Sequence, residues 1–343
     1  MLKPGRDSVL NHISVSVIVP TFNGSARIGQ CLDALLKQNG GRIPEILVVN
    51  DGSSDSIAQV VERYAGVRLI NQVNAGPASA RNRGAEEAHG SIILFTDDDC
   101  VPTPDWVDAM IEPFKDPEIV GTKGVYRTKQ RRVVARFVQI EYEDRYRLMS
   151  GFPYIDFVDT YSAGFRRNRF LEMNGYDTSF PLACAEDVEL SYRMSVRGWK
   201  MKFASDAVVY HTHPDTLWRY CKKKYKFAFW RMLAVRKNPS KGIKDTHTPQ
   251  LMKLQVLFIP VLVMAVAFDL WLSHAPFFSG LVLAAFVISS FPFAYRAFVK
   301  DPLVGLLSPV FLIARSFAQL LGVTAGLLHA RRKPSTVTSN SAA

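Results

Sequence analysis

The chain has 343 residues, with 42 Lys+Arg against 31 Asp+Glu and a formal net charge of +11. An apolar fraction of 48% beside 21% charged residues excludes a largely disordered chain, and the length exceeds one small domain. Four scattered cysteines (Cys31, Cys100, Cys184, Cys221) form no C-x-x-C pair, which excludes a disulfide framework and a zinc ribbon and reads as reduced thiols.

Residues 15–19 (VSVIV) form the first predicted strand, ended by Pro20. Ile28, Cys31, Leu32, Leu35 and Leu36 then recur on one helical face. Residues 45–49 (EILVV) are the second strand. Ser53, Ser54 and Asp55 offer helix caps, and Ile57, Val60, Val61 and Tyr64 repeat the helical period. A short strand spans 67–70, a helix weakened by Gly84 spans 77–89, and a fourth strand spans 91–95. Continuous apolar strands separated by helices predict an α/β fold with a mostly parallel sheet covered on both faces.

Ligands of such sheets bind at the carboxyl ends of the strands. The first strand is followed there by Pro20-Thr21-Phe22-Asn23-Gly24, and the second by Asn50-Asp51-Gly52-Ser53-Ser54-Asp55. The fourth is followed by Thr96-Asp97-Asp98-Asp99-Cys100. Three successive carboxylates repel one another and point to a cation. Oxygen ligands suit Mg²⁺ or Mn²⁺. The same run could instead cap a helix near Pro104.

The C-terminal part has a different character. Residues 254–272 are a near-continuous apolar run broken by Asp269, and 276–295 are another with no charge. Each has the length of a bilayer helix. A third stretch, 303–330, carries Pro309, Arg315, Gln319, Gly322 and Gly326, and Arg331-Arg332-Lys333 follows it. From Arg219 to Lys244 there are ten Lys or Arg and no Asp or Glu. That excess before the first span places the N-terminal part in the cytoplasm, and it attracts anionic lipids. The same rule favours a re-entrant or interfacial segment at 303–330 over a third crossing. No nucleic-acid motif accompanies the positive charge, so nucleic acid is not an expected partner. A second basic group (Arg127, Lys129, Arg131, Arg132, Arg136) reads either as a charged surface or as a lip for an acceptor or the membrane.

Five blocks in order resemble the family-2 glycosyltransferases of the GT-A fold. They are residues 15–23, 48–55, Asn74-Ala75-Gly76-Pro77-Ala78-Ser79-Ala80-Arg81-Asn82-Arg83-Gly84, 95–99, and Ala185-Glu186-Asp187-Val188-Glu189-Leu190. The resemblance implies a Rossmann-like catalytic domain and a nucleoside-diphosphate sugar donor, with a UDP-sugar favoured. It implies that Pro20, Thr21, Asn23 and Asp51 form the nucleotide pocket and that Arg81 contacts base or phosphate. Asp97 and Asp99 match a D-x-D element for ribose and metal, with Asp98 in its variable place. Glu186-Asp187 matches the family's acidic pair, with Asp187 as general base for an inverting transfer to a hydroxyl. His211 or His213 matches a region that completes some metal sites, and Gly164 matches a segment lining the sugar cleft. The absence of Q-x-x-R-W favours single additions over polymerisation.

The expected organisation is a catalytic domain over 1–215 and a basic juxtamembrane segment over 216–253. A membrane region over 254–330 and a polar tail over 331–343 follow. The expected protein is a multi-pass enzyme of the inner cell membrane facing the cytoplasm, acting on a lipid-linked or glycan acceptor in envelope or exopolysaccharide synthesis. The rival readings are a polyprenyl-phosphate sugar synthase and a membrane-tethered nucleotide-sugar-binding scaffold.

Overall fold

The computed structural model describes residues 13–39, 44–180, 184–241, 245–272 and 276–332. Residues 1–12, 40–43, 181–183, 242–244, 273–275 and 333–343 lie outside them. The first half alternates as the apolar pattern predicts: β1 (Val15–Thr21), α1 (Ile28–Leu36), β2 (Glu45–Asp51), α2 (Ile57–Val61), β3 (Val67–Gln72), α3 (Pro77–Glu87) and β4 (Ile92–Phe95). Then come β5 (Val101–Pro102), α4 (Trp106–Ile111), β6 (Ile119–Arg127), α5 (Val133–Met149), β7 (Ala163–Arg166), α6 (Arg167–Glu172), α7 (Glu186–Val196) and β8 (Lys200–Tyr210).

One sheet runs in the order β3-β2-β1-β4-β7-β6-β8-β5. The first four strands are parallel, with Val17 opposite both Ile46 and Leu94. β7 runs antiparallel between β4 and β6. Every residue of β1 is buried because helices cover both faces. Val15, Val17 and Val19 join one apolar layer with Ile28, Leu32, Trp106 and Met110. Ile18 joins the other with Ala80, Phe165, Phe170 and Leu190. Two oily faces therefore demand the unbroken apolar run. Helix α2 stops at Val61, short of Tyr64, whose ring still packs on the first layer.

Gly164 has a different place from the expected cleft wall. It lies within β7, opposite Leu94 and Thr122, where an added Cβ would stand 2.6 Å from Thr122 Oγ1. Its lack of a side chain serves packing inside the sheet rather than approach of a sugar.

Beyond β8, α8 (Leu217–Lys237) leads to α9 (Gln250–Trp271), α10 (Phe277–Lys300) and α11 (Pro302–Arg332). The last three are long and apolar enough to cross a membrane. Asp269, the one acid in the first span, is buried and caps the next helix. It accepts hydrogen bonds from the backbone N–H groups of Phe278 (3.0 Å) and Ser279 (2.8 Å). The third stretch is one continuous helix of 31 residues, about 46 Å long, not a re-entrant loop. It packs against α5 and α8 along its length. Phe311 meets Phe137 of α5 (4.9 Å), Arg315 pairs with Glu141 of α5, and added Cβ atoms at Gly322 and Gly326 would meet backbone carbonyls of α8.

Helix α5 is the docking edge for this apolar bundle. Arg136 pairs with Asp301 (2.7 Å), Asp144 with Arg296 (2.7 Å) and Glu143 with Lys300 (2.5 Å). Arg132 pairs with Asp215 instead, at the surface.

Helix α3 approaches the sheet closely because residue 84 has no side chain: an added Cβ would lie 2.4 Å from Ile18 Cγ2. Alanine normally favours a helix over glycine by about 1 kcal/mol. Here overpacking, at about 1–3 kcal/mol, outweighs that gain. Gly84→Ala should therefore lower the melting temperature of the purified protein.

Candidate active site

The carboxyl ends of β1, β2 and β4 converge as the strand order requires. Much of the polar signal found there builds the loops. Asn23, in a left-handed conformation with φ 49°, accepts a hydrogen bond at Oδ1 from Ser54 N (2.9 Å). Its own N–H donates to Ser53 Oγ (2.9 Å). Thr21 Oγ1 donates to Asp98 (2.6 Å), and Asp98 pairs with Arg27 (2.7 Å). Asp98 is thus a buried brace between two loops. Pro20 continues β1, paired with Val49.

Asp51, expected to read the base, is 4% exposed, and both its oxygens are engaged. Oδ1 accepts from Gln72 Nε2 (2.7 Å) and Ala75 N (2.9 Å), and Oδ2 accepts from Gly76 N (2.9 Å). It shapes the loop before α3 through these three bonds.

Arg81 on α3 is 2% exposed. Its Nη2 donates to Asp97 Oδ1 (2.8 Å) and its Nη1 to Glu186 Oε1 (3.0 Å). The planar guanidinium fork therefore ties the acids after β4 to the acids that open α7. The expected contact of Arg81 with base or phosphate gives way to contact with carboxylates.

The acidic pair divides its work. Glu186 is buried, and its second oxygen accepts from the N–H groups of Cys184 (2.8 Å) and Ala185 (3.1 Å). Asp187 lies half-buried on the cavity wall, with one carboxylate oxygen accepting from Val188 N (2.7 Å). Burial, then the charges of Glu186 and Asp159, push its carboxyl up to about 8.

The two histidines also separate. His211 lies 4.6 Å from Tyr126 in a ring stack, with Nδ1 3.3 Å from Asp99 Oδ1. Ligand atoms of Asp99, Cys100 and His211 lie within 4.8 Å of one another. The carboxylate and imidazole suit Mn²⁺ or Mg²⁺ better than the soft Cys100 sulfur does. His213 faces elsewhere: its Nε2 is 3.0 Å from Gln139 Oε1, and its ring stacks on Tyr142. Burial, then the charges of His211, Lys223 and Lys224, push it down to about 3, so it stays neutral.

Asp97, Asp99, Glu186, Asp187 and His211 line one cavity of about 820 Å³. Sequence reasoning missed much of its remaining wall. Asp159 pairs with the fully buried Lys123 among Tyr126, Tyr142 and Tyr161. Lys223, Lys224 and Lys226 of the basic run also face the cavity. Lys224 is 6% exposed, so this lysine serves the interior rather than lipid head groups. Nothing in the run's local spacing marks which lysines turn inward. The far wall comes from α9 and α11, through Met252, Val256, Leu257 and Val323.

Residues 16–171 match the model of Glycosyl transferase family 2. That stretch of the chain is similar to the family-2 glycosyltransferases. It is 44% identical over 89 residues to an uncharacterized glycosyltransferase, EpsJ, of Bacillus subtilis (strain 168), covering 25% of this chain and 26% of that one. It is 25% identical over 226 residues to a poly-beta-1,6-N-acetyl-D-glucosamine synthase of Staphylococcus aureus (strain COL), covering 62% and 53%. The matched stretches thus span from about a quarter to about half of these curated relatives. The mannosyltransferase PcManGT from Pyrobaculum calidifontis, solved in complex with GDP-Man and Mn²⁺, superposes with a TM-score of 0.62 at 20% identity. The match covers 92% of this chain and 88% of that one. That likeness shows a shared GT-A fold, as the sequence blocks implied.

Removing the Arg81 fork would leave Asp97 and Glu186 facing each other across the gap. Arg81→Met should cost about 3–5 kcal/mol of stability. Arg81→Lys should recover only part, because an ammonium cannot span both acids with a planar fork. Thermal or urea unfolding of the three proteins checks this order.

Proposed function

We propose that the chain transfers a sugar from a nucleoside-diphosphate sugar to a hydroxyl of a lipid-linked glycan acceptor, with inversion at the anomeric carbon. The observation behind this reading is that Asp97, Asp99 and Asp187, brought to one cavity, share it with the apolar helices α9 and α11. A binding scaffold has no use for a carboxyl group held ready at the cavity wall.

Asp99, Asp97 and His211 would hold Mg²⁺ or Mn²⁺, whose charge stabilises the departing diphosphate. Asp187, in its ionised form, takes the acceptor hydroxyl proton as the oxygen attacks. The new bond joins that oxygen to the anomeric carbon. The bond from that carbon to the diphosphate oxygen breaks, and the nucleoside diphosphate leaves with the electron pair. Glu186 and Arg81 position Asp187 and Asp97 without touching the reacting atoms. A polyprenyl-phosphate acceptor is disfavoured, because a phosphate oxygen is already ionised and needs no base.

The location follows the same reasoning. The basic excess before α9 favours a cytoplasmic active site at the inner membrane. With α11 packed on α5 and α8, α9 and α10 form the membrane hairpin and α11 runs along the interface. A UDP-sugar is the favoured donor, because Asp51 Oδ2 accepts one hydrogen bond within its loop and keeps a lone pair for a uracil N–H. A donor panel read by the nucleotide released identifies the base.

Asp187→Asn should lower transfer by about 10²–10⁴-fold while nucleotide affinity, measured by titration calorimetry, stays near wild type. Near-normal turnover of that variant would remove the base assignment. Because a raised carboxyl pKa leaves less of the base ionised at low pH, kcat/KM should rise about tenfold per pH unit below its pKa and level above it. The plateau should begin near pH 8 in the donor-free enzyme. The folded pKa exceeds the unfolded one, so ionising Asp187 costs stability as pH rises between them. Asp187→Asn should accordingly melt higher than wild type at neutral pH.

His211→Ala should weaken Mn²⁺ binding by at least about tenfold, whereas His213→Ala should leave it unchanged. Manganese titration followed by paramagnetic resonance distinguishes the two.

A further inference from the structure

Where α5 meets α8 and α11, one buried carboxylate faces three buried cations. Glu141 receives Lys224 at 2.6 Å, Arg315 at 3.0 Å and Arg145 at 3.5 Å. None of these four side chains is more than 11% exposed. Their other close partners are neutral. Tyr220 donates to Glu141 (3.3 Å), and Arg315 donates to Gln255 Oε1 (2.5 Å). Among the described residues, the buried Nε atoms of Arg145 and Arg315 have no acceptor. The cluster therefore holds more positive charge than its carboxylate offsets, and buried charge in excess calls for a counter-anion.

Arg145 and Lys224 open onto the same cavity as Asp187, and Lys223 stands beside them. His247, also on that wall, is held neutral by burial and by Arg145, Lys123, Arg231 and Lys224 around it. Its buried Nδ1 has no hydrogen-bond partner among the described residues. Beyond these cations the wall becomes apolar, through Met252, Val256 and Leu257 of α9 and Val323 of α11. The cavity thus offers, in continuity, a base, a cationic region and an oily exit.

We propose that Arg145 and Lys224 form the subsite for the phosphate or diphosphate of the acceptor. The acceptor is then a saccharide joined through that anion to a long apolar chain, which leaves along α9 and α11 while the sugar hydroxyl faces Asp187. Arg315 acts through Glu141 as a positioning residue. This inference rests on the transfer reading above and adds to it the chemistry of the acceptor's linkage.

The test uses the full chain in phosphatidylcholine nanodiscs, with farnesyl diphosphate, farnesol and inorganic pyrophosphate as separate probes. Farnesyl diphosphate should raise the melting temperature, and the alcohol and the free anion should not. Arg145→Gln and Lys224→Gln should each weaken the farnesyl diphosphate response by about tenfold or more. Ligand-free Arg145→Gln should melt no lower than wild type, since it relieves excess charge. A merely structural role for Arg145 would lower that melting temperature and overturn the proposal. So would pyrophosphate binding as tightly as farnesyl diphosphate, which would mark a subsite for a free diphosphate. Loss of the farnesyl diphosphate response in nanodiscs containing phosphatidylglycerol would mark a phospholipid site and overturn it equally. Release of nucleoside diphosphate from donor sugars by the wild type is measured separately. Its absence would defeat the transfer reading while the anion subsite is still judged by its own binding data.

Discussion

Arg81 lies out of reach of water between Asp97 and Glu186, residues 89 positions apart in the chain. Without a cation there, the acids after β4 and the acids opening α7 would repel one another across a narrow gap. With it, they are drawn to opposite ends of one guanidinium, and the cavity takes its form around them. The arrangement depends in turn on α3 lying close to the sheet, which the bare backbone at Gly84 permits against Ile18. A small residue, a buried cation and two distant acids are thus successive links in one construction. Glu186 is fully occupied with structure, whereas Asp187 has one oxygen on Val188 N and faces the cavity.

The cavity changes character along its length. At the sheet end it is acidic and aromatic, where Tyr126 holds His211 beside Asp99. Toward α8 it becomes cationic, and toward α9 and α11 it becomes apolar. Burial of opposite charges in one enclosure makes each group's ionisation depend on its neighbours. Asp187 is pushed up by burial and nearby acids, while Lys224 is pushed down to about 7 by burial against its pairing with Glu141. Such departures from ordinary ionisation gather where polar work is done away from bulk water.

Much of the fold was legible in the residues. The unbroken apolar strands of β1, β2 and β4 announced a sheet buried on two faces, and the acids after β4 announced its working edge. The Glu186-Asp187 pair was legible as a motif, but not the division of labour within it, which depends on backbone donors at Cys184 and Ala185. Other features have no local signature. The antiparallel insertion of β7 is a pairing across long sequence distances, so Gly164 read as a cleft residue when it fills the sheet interior. Asp51 carried a plausible role in base recognition, yet its oxygens close a loop onto Ala75 and Gly76. The basic run before α9 showed its charge but not its orientation. A helix packed between a protein interior and an apolar bundle has no single solvent face by which a period could be read.

One consequence of the shared wall concerns how the protein can be handled. Because α9 and α11 supply the oily side of the chamber, a fragment cut off after α8 would be unroofed rather than simply water-soluble. Its chamber would fill with solvent, and the charges now shielded beside Glu141 would be hydrated and weakened in their pull on any anion. Detergents that loosen the seating of α9 and α11 would therefore reshape this chamber as well as change solubility.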